Sequence, residues 1–416
     1  MARPASERPP RPAITSSTLA ESAASGVAVY CLTGAVFVAA VVFAVDFVPL
    51  FRLHPGSQTR VDWLAGLAAW DGEWYVRIAS AGYKYDPERM SSVAFFPLYP
   101  GLAWPLVHGL GMRPEWALLI VSHGALLATF VLLSAYVQRR HADCPGDLPS
   151  WTLLAFGLFP TTFWLRMAYS ESTLLLLAVA TLYGMERRWR NGWLALIIGL
   201  ATAARTVGVG LIPVFWLYLW QQRATRRGWL LRCAVWLPVC VWGLAAYMAF
   251  QWWAFDAPLA FVQTQVHWSE RPVPLADRLL GLVTLEPIRA VYDPECPCYW
   301  ARVPPRGNLL FHLKAANPVY FLTFVGLVGL GAWKRWLNAR EVLLSAAVLA
   351  IPYWFQAART CMSSQARYAA VVFPVYLVLG QLLSRCPAPL AAALLALSGV
   401  FLAAYSALFV SWYWYY

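Results

Sequence analysis

The stretch GVAVYCLTGAVFVAAVVFAVDFV, residues 26–48, decides the fold class. It is 23 residues long and carries one charged side chain, Asp46. A helix rises about 1.5 Å per residue and the hydrocarbon core is about 30 Å thick, so a run of this length crosses a bilayer. Similar apolar runs recur along the 416-residue chain, which is 60% hydrophobic and only 12% charged. Soluble domains hold about a quarter charged residues. Membrane β-strands would instead alternate in short segments. The sequence reads as an all-α polytopic membrane protein.

Working outward from that run, spans are expected at about 26–48, 114–137, 150–168, 170–185, 193–204, 207–221, 232–252, 309–332, 341–357, 367–384 and 388–410, about 11 transmembrane helices. Residues 1–25 are polar and contain Arg and Pro, with no small-residue cleavage site after a short apolar core. They read as a cytoplasmic tail, and residues 26–416 as a single transmembrane domain. The net charge of +12 lies in short clusters between apolar runs: Arg139–Arg140, Arg187–Arg190, Arg223–Arg232 and Lys334–Arg340. That pattern is a topology signal, with the clusters on the inner side, and not a nucleic-acid surface.

With the N-terminus inside, three segments face outward: 49–113, 253–308 and 357–366. Residues 193–204 and 207–221 are short for full crossings and read as a broken pair with Arg205 at the bend. Residues 94–112 are apolar but contain Pro97, Pro100, Pro105, Gly101, Gly109 and Gly111. Proline removes a helix hydrogen bond, so this piece is read as a helix on the outer membrane face. Cys296, Cys298 and Cys361 are external; an oxidising compartment permits a disulfide among them, with one thiol left over. No Cys/His set has zinc spacing.

Ionisable side chains near hydrocarbon are costly and point to function. Asp46, Arg166, Glu171 and Arg205 are placed toward the outer ends of their spans, as are Arg359 and Arg367. The alternative for Arg166 and Glu171 is a structural ion pair. No P-loop, Gly-rich dinucleotide motif or G-x-S-x-G is present. An enzyme made of spans and outer loops must draw substrates from the membrane. A lipid-phosphate-linked donor fits: its phosphate needs arginine forks, and the attacking group needs a carboxylate base. The rival is a lipid-linked-sugar flippase or transporter, which needs a polar path open to both leaflets.

The first outer segment holds WDGEWYVRIASAGY, residues 70–83. Trp70, Trp74 and Ile78 share one side of a helix, Glu73 and Arg77 are spaced to pair, and Gly82 can end it. An amphipathic helix docked on the outer membrane face explains all of this except Asp71. Asp71 either charges the helix N-terminus or carries chemistry.

The pieces AWDGEWYVRIASAGYKYD and AFFPLYPGL (69–102) resemble the signature of the PIG-V family, the GPI mannosyltransferase II type and its bacterial homologues. The resemblance continues in FPTTFWLRMAYSESTLLL (159–176), and more loosely in ATAARTVG (201–208), DAPLAFVQTQVHW (256–268) and SSQARYAAVVFPVY (363–376). It implies a GT-C type glycosyltransferase with a helical first outer loop. Such enzymes transfer a sugar, usually mannose, with inversion, from a polyprenyl- or dolichyl-phosphate donor to a lipid-linked or surface glycan acceptor. Transfer takes place on the non-cytoplasmic side, with no cofactor and no divalent metal expected. Carried over, Asp71 is the general base, and Arg367, Arg205 and Tyr368 hold the donor phosphate. Glu73, Tyr169, Glu171, Gln265 and Trp268 become substrate-binding candidates. The composition looks bacterial, which implies the cytoplasmic membrane; a eukaryotic member would sit in the ER.

Overall fold

The computed structural model describes residues 16–51, 62–141, 147–222, 225–302 and 311–413. Among the described residues the regular structure is helical throughout, with no strand. The helices are α1 (Ser16–Phe47), α2 (Trp63–Leu67), α3 (Asp71–Ala81), α4 (Leu98–His108), α5 (Pro114–Arg140), α6 (Leu148–Leu158), α7 (Glu171–Glu186), α8 (Asn191–Ala204) and α9 (Leu211–Gln221). They continue as α10 (Arg226–Phe255), α11 (Ala260–Gln263), α12 (Leu275–Thr284), α13 (Glu286–Ala290), α14 (Leu313–Trp333), α15 (Ala339–Pro352), α16 (Gln365–Ala370), α17 (Pro374–Leu383) and α18 (Ala388–Val410).

Five described helices are long and apolar enough to cross a bilayer: α1 from Ala20, α5, α10, α14 and α18. Pro160–Arg166 and α7 together would make a sixth, bent by 101°. The other expected spans are divided or short. Residues 150–168 hold α6 and a 3-10 stretch, 341–357 hold α15 and a π turn, and 367–384 hold most of α16 and then α17. α8 and α9 form the expected broken pair, with Arg205 extended between them (φ −161°, ψ 154°). Helix α1 begins at Ser16, so the polar tail joins the anchor earlier than expected. Residues 1–15, 52–61 and 303–308 of the expected tail and outer loops lie outside the described residues.

The breaks have local causes. Pro160 lacks an N–H, and Phe159 before it is extended (φ −63°, ψ 136°), which ends α6. Cys361, Met362 and Ser364 all take positive φ (52°, 60° and 63°), which separates the π turn from α16. Elsewhere small residues bring helices close. A Cβ on Gly199 of α8 would meet the Trp242 ring at 2.1 Å, and one on Gly243 of α10 would meet Gly199 O at 2.2 Å. Such contacts are the usual means of joining helices in lipid.

Basic helix ends converge. Arg140 at the end of α5 lies 3.6 Å from Glu341 at the start of α15, whose carboxylate also accepts from Tyr136 at 2.5 Å. Arg340 pairs with Glu186 at the end of α7 and lies over the Tyr218 ring of α9. The opposite end of the bundle receives α2, α3 and α4, the start of α7 and the start of α16.

Helix α4 is too short to span, and buried Tyr99 anchors it by donating to Leu118 O of α5 at 3.0 Å. Helix α3 forms over nearly the expected residues and ends at Gly82 (φ 79°). Its rings dock on protein, which differs from the expected membrane face: Tyr75 packs on Phe95 and Tyr99, Trp74 on Phe95, and Trp70 on Trp412.

Candidate active site

The site is assembled where three helix breaks meet the outer helices α2 and α3. The break before α7 plugs into them directly. Ala168 N donates to Leu67 O at 2.9 Å, and the Tyr169 hydroxyl donates to Ala69 O at 3.0 Å while accepting from Asp71 N at 3.2 Å. Buried Tyr75 shares a 2.7 Å hydrogen bond with Ser170 Oγ. Burial holds the Tyr75 hydroxyl above the ordinary phenol range, so it stays protonated. Asp71 is the first residue of α3, where the helix dipole favours a carboxylate. Trp70 before it has φ 61° and ψ −115°, a costly conformation for a residue with a Cβ, of the kind found where a functional side chain is aimed.

These fixed points bring four charges together. Asp71 Oδ2 accepts from Arg367 Nη1 at 2.6 Å. Arg367 Nε lies 3.3 Å from Glu171 Oε1, and the same oxygen accepts from Arg205 Nη1 at 2.6 Å. Arg205 Nη1 also donates to Ser170 Oγ at 3.0 Å. Two guanidinium groups thus face two carboxylates, and the set is formally neutral. Glu171 is buried and Arg367 nearly so, while the Asp71 side chain keeps 30% of its surface exposed. Asp71 is therefore the member open to an incoming group.

Aromatic rings enclose the arginines. Arg367 Cζ lies 5.6, 5.4 and 5.2 Å from the ring centres of Trp164, Tyr169 and Tyr368, and Arg205 Cζ lies 5.5 Å from Tyr368. Each such contact contributes about 1 kcal/mol or more when desolvated. Glu171 Oε2, Trp164 Nε1 and Arg367 Nε are buried without a hydrogen-bond partner among the described residues, so the Arg367 Nε–Glu171 contact is electrostatic.

The structure unites Asp71, Arg367, Arg205, Tyr368, Tyr169 and Glu171 in this cluster. Trp268 borders it through Trp74, with ring centres 5.9 Å apart. Gln265 lies one turn away; its side chain donates to Phe261 O and its carbonyl accepts from Arg359 Nη2. Glu73 sits on the exposed flank of α3, 3.5 Å from Arg77. Arg166 and Glu171 do not form the alternative ion pair: Arg166 Nη2 donates to Thr33 Oγ1 at 2.7 Å, over the rings of Tyr30 and Phe37. Because Thr33 lies well inside α1, Arg166 sits deeper than the outer end where the sequence places it.

Ser170 and Trp164 escaped sequence reasoning. Ser170 had a signal, its place between Tyr169 and Glu171; Trp164 had none beyond being one ring among many. A second polar group was also missed. Lys314 Nζ pairs with Glu270 Oε2 at 2.6 Å, and Ser363 Oγ donates to Glu270 Oε1 at 2.9 Å. The Cys298–Cys361 disulfide and the Ser363 contact tie the long outer loop to the segment before Arg367, and Lys314 ties it to α14. Cys296 is the thiol left over.

A cluster of two arginines and two carboxylates, one of them accessible, offers guanidinium groups to a phosphate and a carboxylate to a proton beside it. A protein-family model described as Mannosyltransferase (PIG-V) matches residues 57–300, which include Asp71, Glu171 and Arg205 and stop short of Arg367. The GPI alpha-1,6-mannosyltransferase 2 of Homo sapiens is 28% identical over 259 residues, covering 57% of this chain and 48% of that protein. The Rattus norvegicus protein of the same name is 31% identical over 155 residues, 35% of this chain and 30% of that protein. The GPI mannosyltransferase 2 of Drosophila melanogaster is 29% identical over 139 residues, 30% of each. The aligned part thus spans about half the human relative's length and less of the others. No solved structure matches the chain significantly.

Proposed function

Because this chain belongs to the PIG-V mannosyltransferase family, we propose that it is a membrane glycosyltransferase of the GT-C type, moving mannose from a polyprenyl-phosphate donor to a lipid-linked or surface glycan acceptor. The observation that carries the reading is the 2.6 Å contact between Asp71 and Arg367, a partly exposed carboxylate beside a buried guanidinium. Asp71 accepts the proton of the acceptor hydroxyl. The hydroxyl oxygen attacks the anomeric carbon from the face opposite the phosphate and inverts it. The bond from that carbon to the phosphate oxygen breaks, and its electron pair stays on the phosphate. Arg367 and Arg205, with Tyr368 beside them, take up the developing charge.

Tyr169 fixes the start of α3 and so aims Asp71, and Glu171 aligns both arginines. Trp268, Gln265 and exposed Glu73 are assigned to the acceptor side, where aromatic faces and polar groups suit a sugar. The donor phosphate is met by arginines, so the reaction is assigned no metal and no other cofactor. The chain is multi-pass, and the site is assigned to the outer face, opposite the basic helix ends. The bacterial cytoplasmic membrane is the proposed location.

Purified protein in vesicles, given polyprenyl-phosphate-[14C]mannose and a glycolipid acceptor extract, tests the reading. Label is expected in a glycan product. Label that only changes leaflet, with no product formed, would establish a flippase instead.

A further inference from the structure

We propose that the Asp71–Arg367 ion pair is the resting state of the site, and that the donor's phosphate opens it by taking Asp71's place on Arg367, with Glu171 as the pivot that keeps Arg367 aligned. The inference rests on the transfer reading above and concerns its order of events. In a direct displacement, the attacking and leaving oxygens lie on opposite faces of the anomeric carbon. The base then needs a hydrogen bond of about 3 Å to the first, and the guanidinium one of about 3 Å to the second. The sugar carbon must fit between, as the acceptor water does between the carboxyl groups of inverting glycosidases, about 6.5–9.5 Å apart. Asp71 Oδ2 and Arg367 Nη1 are 2.6 Å apart, so this geometry leaves no room for the sugar. For Oδ2 to serve as the base and Nη1 as the phosphate's donor, these two atoms have to part before transfer.

The two partners differ in freedom. Arg367 is buried, ringed by Trp164, Tyr169 and Tyr368, and its Nε lies 3.3 Å from Glu171 Oε1, an ion-pair contact without hydrogen-bond geometry. Asp71 is 30% exposed and has no other ion-pair partner among the described residues. The exchange therefore frees Nη1 for a phosphate oxygen while the Nε–Glu171 contact stays. It also frees a carboxylate that was tied to a cation, and only then can it act as a base. Charge is conserved: the proton leaves the acceptor and neutralises Asp71 while the electron pair adds one negative charge to the phosphate. Arg367, already on the phosphate, thus faces a partner that gains charge while Asp71 is neutralised. Donor binding comes before acceptor activation, and Glu171 is a positioning residue that does not touch the reacting atoms.

The test is equilibrium binding of sugar-free undecaprenyl phosphate to the detergent-solubilised full chain, read by tryptophan quenching, with melting temperature recorded for each variant. Asp71→Asn and Glu171→Gln each remove one negative charge from the same cluster. The exchange predicts opposite outcomes: Asp71→Asn binds about tenfold tighter, because the competitor is gone, and Glu171→Gln binds about tenfold weaker, because the pivot is gone. Tightening in both, as simple charge removal requires, overturns the proposal, as does unchanged binding in Asp71→Asn. If Glu171→Gln does not fold, Asp71→Glu replaces it and must bind more weakly than Asp71→Asn; equal affinity overturns the proposal. No turnover is needed, so a failed transfer assay leaves this result readable, and a failed exchange leaves the transfer reading standing.

Discussion

Arg205 reaches Glu171 across the break between two helices, Nη1 to Oε1 at 2.6 Å, and the same oxygen faces Arg367. One buried carboxylate thus holds two cations that arrive from separate parts of the chain. Removing one partner of a buried pair leaves the other charge uncompensated, at about 3–5 kcal/mol. Glu171→Ala is expected to destabilise the protein by about that amount, and more than Arg205→Met, which leaves Glu171 its contact with Arg367. Chemical unfolding in detergent, followed by circular dichroism, checks both; equal and small losses would contradict the shared-oxygen arrangement.

The Cys298–Cys361 bond closes a loop across a sequence separation of 63. The chain-entropy model assigns such a loop about 4 kcal/mol. Reductant should lower the melting temperature of the wild-type chain and of Cys296→Ser, and leave Cys298→Ser unmoved. A wild type indifferent to reductant contradicts the pairing.

Trp268 leans on Trp74, on the helix that begins with Asp71. An aromatic pair of this kind contributes about 0.5–1.5 kcal/mol. If Trp268 borders the acceptor, Trp268→Ala should raise the acceptor KM about 2- to 10-fold with the donor KM unchanged. A donor effect instead would move Trp268 to the other side of the site.

Positive charge at the donor phosphate is assigned to Arg205 and Arg367. Initial transfer rates should therefore be the same with and without a divalent-metal chelator. A loss of rate restored by magnesium would contradict that assignment.

Much of this site was legible in the sequence because intramembrane charges are few. Glu171, Arg205 and Arg367 stand out from hydrocarbon neighbours, whereas Asp71 lies in an outer segment beside Glu73 and Arg77 and stands out because its helix leaves it unexplained. Pairing was not legible, since Asp71 and Arg367 are 296 residues apart and the breaks decide which charges meet. Arg166 shows the point. Sequence distance favours Glu171, yet the 3-10 stretch and the bend carry it to Thr33. Hydropathy also missed the breaks themselves. It measures how apolar a segment is, whereas Phe159–Pro160 and the positive-φ residues 361, 362 and 364 decide where helices stop. The ring-rich face of α3 reads as membrane-facing in the sequence because an apolar stripe looks the same whether it meets lipid or protein.

The central claim is that Asp71 takes the acceptor's proton. The direct measurement is the rate of mannose transfer by Asp71→Asn and wild type at saturating donor, with folding verified by melting temperature. A base contributes about 10²–10⁴-fold, so the account predicts at least about a hundredfold loss in kcat, even though lipid-phosphate binding is tightened by the same substitution. Transfer by Asp71→Asn at a rate close to wild type would contradict it.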